Sequence, residues 1–277
     1  MADIPGEAID SAASALGVVV TDRIDKGGQK AVALCERESV QYVLKCVAVD
    51  PSAGDHSLER ARREVGVLEA ISSPHVVSIE DGLLEVPGVE SMVAWTEEYI
   101  DGDDLTDLAP GGWSWEAVRS MLVDLAVGLS EFHAREVAHR DLSTNNIRQR
   151  SSGGWVIIDP GLARFMTMPT LTLYGQHFGT PGFMSPEHVS TASRPTNASD
   201  VYVLGVIGYL CLTGSLPIPF AGDVAAYVDQ LRAGTYQPVE ALRPDLDAEA
   251  RDVIGRCLHR HPARRFLDAS ELLEALS

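Results

Sequence analysis

The sequence contains few cysteines, and none has the spacing of a metal site or a disulfide framework. There are four in 277 residues, far apart in the chain: Cys35, Cys46, Cys211 and Cys257. Zinc sites and disulfide-rich domains place cysteines in close pairs or dense clusters. We therefore expect reduced thiols in the core of a cytoplasmic protein.

The chain also lacks a long hydrophobic run. The longest apolar stretch, residues 201–212, is shorter than the roughly 20 residues needed to cross a bilayer. The first five residues lack the basic start of a signal peptide, so we expect no secretion signal. We predict no membrane segment and no membrane partner.

Basic residues are scarce. Lys and Arg total 22 against 40 Asp and Glu, which gives a formal net charge of −18. Nucleic-acid-binding proteins collect Lys and Arg into a stripe or patch, and no such run occurs in this sequence. The acidity argues against nucleic acid as a partner and favours basic partners.

What the sequence does contain is a polar string that suits phosphoryl transfer. Residues 139–146 read His-Arg-Asp-Leu-Ser-Thr-Asn-Asn, so a carboxylate, Asp141, precedes an amide, Asn146. The carboxylate can orient a nucleophilic hydroxyl, and the amide oxygen can bind Mg²⁺. A further carboxylate, Asp159, follows a predicted buried strand at 155–158. Because Asn146 and Asp159 flank a short hairpin, we expect them to meet at one Mg²⁺ ion.

These motifs resemble those of bacterial Ser/Thr protein kinases of the eukaryotic-like (Hanks) type, from about residue 17 to 277. The resemblance implies an α+β, bilobal protein-kinase fold. We expect an N-lobe antiparallel sheet with one helix at about 17–100 and a mainly helical C-lobe at about 101–277. It also implies ATP and Mg²⁺ as cofactors. Residues 1–16 precede this domain, and we expect a tail or a short helix on the surface.

The predicted N-lobe begins with a hairpin over residues 17–36. In kinases the equivalent hairpin covers the ATP phosphates with a glycine-rich loop. This loop keeps only one of the usual glycines, Gly27, ahead of Val32. A plain hairpin turn therefore explains the segment as well as a nucleotide-binding loop does.

The next predicted strand, at 42–47, carries Lys45, which the resemblance places on the α- and β-phosphates. An amphipathic helix predicted at 57–70 carries Glu64, the expected ion-pair partner of that lysine. The alternatives are a solvated strand lysine and a glutamate that pairs with Arg63 on the surface.

Two further strands are predicted at 76–80 and 91–98, and the residues after them resemble the kinase hinge. There the backbone groups of Glu98 and Ile100 would hydrogen-bond adenine. Asp104 falls where kinases often hold the ribose hydroxyls, and an ordinary solvated carboxylate is the open alternative.

Several positions depart from the family pattern around the expected nucleotide. Val43 replaces a small alanine at the adenine, Arg148 replaces an apolar residue under the ring, and Ser143 replaces a lysine at the γ-phosphate. Glu97 stands immediately before the hinge. A buried, unpaired guanidinium is costly, so Arg148 must point outward or pair with a carboxylate, of which Glu97 and Asp104 are the candidates. We predict weak ATP affinity.

The predicted C-lobe contains helices at 114–134, 199–213, 248–259 and 268–276. By resemblance, Asp200 holds the backbone of the catalytic loop, residues 139–146. Arg265 forms a buried ion pair with Glu187 in the peptide-docking segment, residues 179–187. In kinases with an arginine at the position of Arg140, that residue binds a phosphothreonine of the activation loop, which places such sites at Thr170 and Thr172. Permanent pairing of Arg140 with an acidic neighbour is the alternative.

Three functions fit these motifs. The first is an active Ser/Thr protein kinase that acts on a protein substrate, with basic substrates favoured. A dimer or a regulatory partner chain would then control its activity. The second is a pseudokinase that acts as a binding module. The third is a small-molecule phosphotransferase, which the peptide-docking segment argues against.

Overall fold

The computed structural model describes residues 4–27, 30–49, 57–109, 111–160, 180–189 and 195–277. They belong to two units: Met1–Ser72 with Val76–Asp101, and Ser73–His75 with Gly102–Ser277. The division between Asp101 and Gly102 lies beside the predicted lobe boundary at residues 100–101.

An antiparallel sheet forms the centre of the first unit. Its strands are β1 (Val19–Gly27), β2 (Lys30–Arg37), β3 (Val40–Ala48), β4 (Ile79–Glu85) and β5 (Met92–Glu98). Within the described part of this unit they lie in the order β1-β2-β3-β5-β4. The predicted hairpin and the strand that carries Lys45 are confirmed.

The prediction for the fourth strand was wrong. A strand was expected at residues 76–80, and β4 instead runs from Ile79 to Glu85. The middle of this strand contains acidic residues and a glycine. They interrupt the alternation of apolar and polar residues on which the prediction relied. The Thr96 side chain stabilises this segment: its hydroxyl accepts from the Asp81 backbone N–H at 3.0 Å and donates to the Asp81 carboxylate.

The N-terminal segment was predicted as a tail or a short helix on the surface. The structure shows the short helix, and it packs closely against the rest of the first unit. Helix α1 (Gly6–Ala15) buries one face in the apolar core of the first unit. Its buried residues are Ala8, Ile9, Ala12 and Ala13. They pack with small side chains of β2, among them Ala31 and Ala33, which leave room for a helix to approach closely.

Helix α2 (Ser57–Glu69) packs on β3 and β5 through a second apolar cluster. Ala61 and Val65 of the helix contact Val93 and Trp95 of β5 there. The amphipathic pattern predicted this helix to within one residue at its C-terminal end. Its buried face also includes Glu64, which is charged.

Two long helices form the core of the second unit. Helix α4 (Trp115–His133) begins at Ser114, whose side chain accepts from the Ala117 backbone N–H at 3.2 Å. Helix α5 (Asn197–Thr213) is buried on every side and ends at Gly214, whose φ of 76° is the left-handed conformation that glycine tolerates. Both predictions are confirmed, although α5 starts two residues before the predicted position.

The remaining helices of the second unit are shorter. They are α3 (Leu105–Leu108), α6 (Val224–Ala233), α7 (Val239–Leu242), α8 (Ala248–Cys257) and α9 (Ala269–Leu276). The sequence predicted α8 and α9 but missed α6, although Asp223 caps its start and Gly234 ends it. Both signals were readable in the sequence.

A small antiparallel sheet completes the second unit. It contains β6 (Gly102–Asp104), β7 (Ile147–Arg150) and β8 (Trp155–Ile157) in that order. The first unit is built on an antiparallel sheet and the second is mainly helical, so the predicted α+β class is confirmed. Among the described residues, no helix is both long enough and apolar enough to cross a membrane.

Candidate active site

Lys45 lies on β3, on the face of the sheet that α2 covers. Its cross-strand neighbour is Trp95, which packs with α2 residues. The Lys45 ammonium nitrogen lies 2.8 Å from Glu97 Oε2 and 4.0 Å from Glu64 Oε1. The structure therefore brings the predicted partner, Glu64, close to the lysine and adds a second carboxylate at shorter distance.

Glu97 reaches Lys45 because of the register between β3 and β5. Val43 is paired with Glu97 and Lys45 with Trp95, so Lys45 and Glu97 are diagonal neighbours on one face of the sheet. Long side chains bridge such diagonal positions. The other carboxylate oxygen of Glu97 accepts a hydrogen bond from the Trp95 indole N–H at 2.8 Å. Glu97, one of the two candidate partners named for Arg148, is thus engaged by Lys45 and Trp95.

Glu64 projects from the buried face of α2. Only 4% of the residue is exposed, so the alternative of a surface residue paired with Arg63 is wrong. Helical periodicity explains this position, since Ala61, Glu64, Val65 and Leu68 recur at steps of three and four residues on the buried face.

The other nucleotide-site residues predicted in the first unit have these positions. Gly27 ends β1, and residues 28 and 29 of the same turn lie outside the described residues. Val32 pairs in register with Lys45, so it lies on the same face of the sheet. The Glu98 backbone N–H donates to the Ser78 carbonyl at 3.0 Å. Ile100, two residues further along the chain, is buried.

In the second unit, Asp200 holds the start of the predicted catalytic loop, residues 139–146. One carboxylate oxygen accepts from the His139 backbone N–H at 2.7 Å and from His133 Nε2 at 3.0 Å. The other accepts from the Arg140 backbone N–H at 2.9 Å. These bonds fix the chain directly before Asp141. Arg140 has a φ of 67°, which is uncommon for a residue with a side chain, and the bond to Asp200 helps to hold it there.

Asn146 closes the same loop from its far end. Its side-chain amide N–H donates to the Asp141 backbone carbonyl at 2.7 Å, which leaves the amide oxygen as the atom available to a ligand. The Ile158 backbone N–H donates to the Asn146 carbonyl at 3.0 Å, so Asp159 follows directly at the same end of the β7–β8 hairpin. An amide oxygen and a carboxylate there suit a hard cation such as Mg²⁺.

Arg148 lies on β7 opposite Asp104 of β6. Its guanidinium is 3.4 Å from the Asp104 carboxylate, and it also donates to the Gly102 carbonyl. Of the two carboxylates considered for Arg148, Asp104 is the one it contacts. The Asp104 side chain is 41% exposed, so the carboxylate is solvated as well as paired with an arginine, and its contact with ribose stays a prediction.

Glu187 and Arg265 form a buried, bidentate ion pair. The two guanidinium nitrogens lie 2.6 and 2.9 Å from the two carboxylate oxygens, and the Ser199 hydroxyl donates to Glu187 at 2.6 Å. Burial alone would raise the pKa of Glu187, but hydrogen bonds and charge from Arg265 outweigh burial and hold it below its ordinary value. The structure brings these two residues together as the resemblance implies.

A family model described as the protein kinase domain matches residues 19–275. The chain belongs to the protein kinase domain family. It is similar to a serine/threonine-protein kinase of Corynebacterium efficiens, drp72, at 33% identity over 92% of this chain and 49% of the relative. It is also similar to PknA of Corynebacterium glutamicum, at 30% identity over 92% of this chain and 54% of the relative.

A third relative, PknD of Mycobacterium tuberculosis, is 29% identical over 90% of this chain and 37% of its own length. The chain thus spans about half the length, or less, of these relatives. The predicted resemblance to bacterial Ser/Thr kinases and the protein-kinase fold are confirmed. Helix α1 lies outside the matched part of this kinase domain.

Sequence reasoning missed two histidines that support the catalytic loop of the kinase domain. His133 Nδ1 accepts from the Ala269 backbone N–H at 3.0 Å, so its proton lies on Nε2 and points to Asp200. His188 accepts from the Ser185 backbone N–H at 3.2 Å, and burial lowers its pKa. His133 carries no local pattern, because Asp200 and Ala269 are far from it in sequence. His188 has a local partner in Ser185, and only the fold brings it to the backbone of Arg140.

The activation-loop predictions lie outside the described residues. Thr170 and Thr172 belong to the stretch 161–179, of which the structure describes nothing. The description resumes at residue 180, ahead of the Glu187 segment. Phosphorylation of these threonines stays a prediction.

Proposed function

We propose that this chain is an ATP-dependent Ser/Thr protein kinase, which transfers the γ-phosphoryl group of Mg-ATP to protein hydroxyls. The catalytic loop is the observation that carries the proposal. Asp200 fixes the backbone before Asp141, and Asn146 fixes the backbone carbonyl of Asp141 itself. The buried pair of Glu187 and Arg265 supports a protein acceptor, because it anchors the segment that resembles a peptide-docking site.

Each charged group has one role in this mechanism. Asp141 accepts a hydrogen bond from the substrate hydroxyl, orients it and takes its proton as the oxygen bonds to the γ-phosphorus. The bond from that phosphorus to the bridging oxygen breaks, and ADP leaves with the electron pair. Lys45 holds the phosphates, and Mg²⁺ held by Asn146 and Asp159 would neutralise phosphate charge. Catalysis is then positioning and charge stabilisation.

The remaining nucleotide contacts are part of the proposal. We assign the adenine contacts to backbone groups of Glu98 and Ile100, the phosphate-side hairpin to Gly27 and Val32, and the ribose to Asp104. Asp104 is held by Arg148, so the ribose hydroxyls must share its carboxylate with a guanidinium. This arrangement supports weak rather than tight nucleotide binding.

Incubation of the purified chain with Mg-ATP, followed by intact mass measurement, tests the proposal. We expect added phosphate on the wild-type protein and on a basic protein substrate, and none with Asp141→Asn. The matched control is Asp107→Asn, which removes a carboxylate from the exposed side of α3. A wild-type protein that binds Mg-ATP without ever transferring phosphate would identify a pseudokinase instead.

We further propose autophosphorylation at Thr170 or Thr172. A phosphothreonine adds nearly two negative charges, and the Arg140 guanidinium can bind it in bidentate fashion. Site mapping by mass spectrometry should find phosphate at these positions, and the double alanine variant should be less active toward added substrate. Phosphate found only outside residues 166–179, with a fully active double variant, would leave Arg140 a structural residue.

We also propose the substrate class, the cellular compartment and the assembly of the enzyme. The formal net charge of −18 supports a basic protein substrate. All four cysteines are free and buried, which supports a reducing, cytoplasmic compartment. A dimer or a regulatory partner chain stays a prediction, which light scattering with size-exclusion chromatography would test.

A further inference from the structure

The pairing of Lys45 has a consequence for nucleotide binding. Its ammonium lies 2.8 Å from Glu97 and 4.0 Å from Glu64, and all three residues are at least 96% buried. One positive charge therefore faces two carboxylates away from bulk water, where electrostatic interactions are less screened than at the surface.

Glu97 is fixed in place more firmly than an ordinary surface carboxylate. It belongs to β5, which is paired on both sides, and its second oxygen accepts from the indole of Trp95, which is itself only 1% exposed. The carboxylate cannot turn away from Lys45 without losing the indole hydrogen bond. Since an unpaired buried polar group is costly, that movement is unfavourable.

We propose that Glu97 competes with the nucleotide phosphates for Lys45 and thereby limits the affinity for ATP. This inference rests on the proposed function, in which Lys45 binds the phosphates. If Lys45 leaves Glu97 to bind phosphate, a buried ion pair is broken. If Lys45 binds both, a carboxylate and a phosphate lie next to each other and repel. Either way, the negative charge of Glu97 weakens phosphate binding.

The variant Glu97→Gln separates this role from a structural one. Glutamine has the same shape and keeps a carbonyl oxygen for the Trp95 indole, but it removes the negative charge. The matched control is Glu85→Gln in β4, where the same charge is removed from a side chain that is 73% exposed and pairs with Arg62. Isothermal titration calorimetry with Mg-ATP and with adenosine gives the two affinities for each protein.

We expect Glu97→Gln to lower the Kd for Mg-ATP about tenfold or more, because a like charge is removed from the phosphate site. Adenosine carries no phosphate, so its Kd should change less than twofold, and Glu85→Gln should change neither value. In a Lys45→Met background the gain on Glu97→Gln should shrink, since the competition acts through the lysine. If Glu97→Gln fails to fold, Glu97→Met, which also lacks the charge and needs no polar partner, should show the same gain.

Three results would overturn the inference. An unchanged or higher Kd for Mg-ATP in the folded Glu97 variants would show that Glu97 does not compete. An equal gain for adenosine would show that the substitution reshapes the base site instead. Failure of the wild-type protein and every variant to bind either Mg-ATP or adenosine would remove the proposed function itself, so the two failures are distinguishable.

Discussion

The two units each contain a buried ion pair that the family resemblance points to, and the two pairs differ in how they are held. In the second unit, Arg265 binds both oxygens of Glu187 and also donates to the backbone carbonyls of His259, Ala198 and Arg260. In the first unit, the ammonium of Lys45 lies between Glu64 and Glu97 and is nearer to the carboxylate that family resemblance does not assign to it.

The difference follows from the chemistry of the two cations. A guanidinium is planar and has five donors in a fixed geometry, so a site that satisfies all of them permits a single arrangement. An ammonium is a compact charge on a flexible stem, and it can exchange one carboxylate for another at little geometric cost. The Arg265 pair is suited to holding structure, and the Lys45 ammonium is suited to changing partner.

The largest effect is expected from Arg265→Leu, which leaves the Glu187 carboxylate buried without its cation. Breaking a buried pair from one side costs about 3–5 kcal/mol of unfolding free energy. Urea denaturation should show this loss in the second unit. Arg119→Gln is the control, because its pair with Glu249 is partly exposed and should contribute about 0.2–1 kcal/mol. Equal losses in both variants would contradict the view that the Arg265 pair is the more firmly held.

Lys45→Met tests the role of the other cation, and the quantity measured is the rate of phosphoryl transfer. Removal of the charge proposed to hold the α- and β-phosphates should lower the rate about 100-fold, which corresponds to about 2.7 kcal/mol. Asp159→Asn should be at least as severe, through loss of a proposed metal ligand. Initial rates at saturating Mg-ATP measure both. Turnover at the wild-type rate in the two variants would remove the proposed mechanism.

Acid should destabilise the second unit by protonating the carboxylates of Asp200 and Glu187. Burial alone would raise the pKa of Asp200, but hydrogen bonds from His133 and the Arg140 N–H hold it below its ordinary value, as Arg265 does for Glu187. The folded protein therefore resists protonation more than the unfolded chain. Its stability should fall as the pH drops below the ordinary values of 4.5 and 3.8, towards the lowered pKa values.

The slope should reach about 1.4 kcal/mol per pH unit for each proton involved. Denaturation series between pH 6 and 3 would measure it. In Arg265→Leu the part of the slope that belongs to Glu187 should disappear, because the lowered pKa depends on the arginine. An unchanged slope in that variant would show that other groups control the acid response.

The smallest effect is expected at the surface of the first unit. Arg23 binds Asp10 of α1 at 2.9 Å, and both side chains are substantially exposed. Arg23→Gln should therefore cost about 0.2–1 kcal/mol. Ile9→Ala, which opens a cavity on the buried face of the same helix, should cost about 2–5 kcal/mol. Thermal denaturation of the two variants compares them, and similar losses would mean that the ion pair holds α1 as strongly as the apolar face does.

The sequence by itself determined the elements whose signals are local. Helix α4 has a regular apolar pattern and α5 is a nearly unbroken apolar run. Each also has a clear end signal, Ser114 and Gly214, so their positions could be read directly. Short motifs in the right order also identified Asp141, Asn146 and Asp200, since a family pattern records spacing along the chain. The meeting of Glu187 with Arg265 was predictable in the same way, although the two residues are far apart in sequence.

Only the tertiary structure decided which side chains meet when several candidates carry the same charge. The chain contains 40 carboxylates, and nothing local distinguishes Glu97 from the others as a contact of Lys45. That contact depends on the register between β3 and β5, because a shift by one residue would turn Glu97 to the opposite face of the sheet. The burial of α1 was decided likewise by contacts with small side chains of β2, which are distant from the helix in sequence.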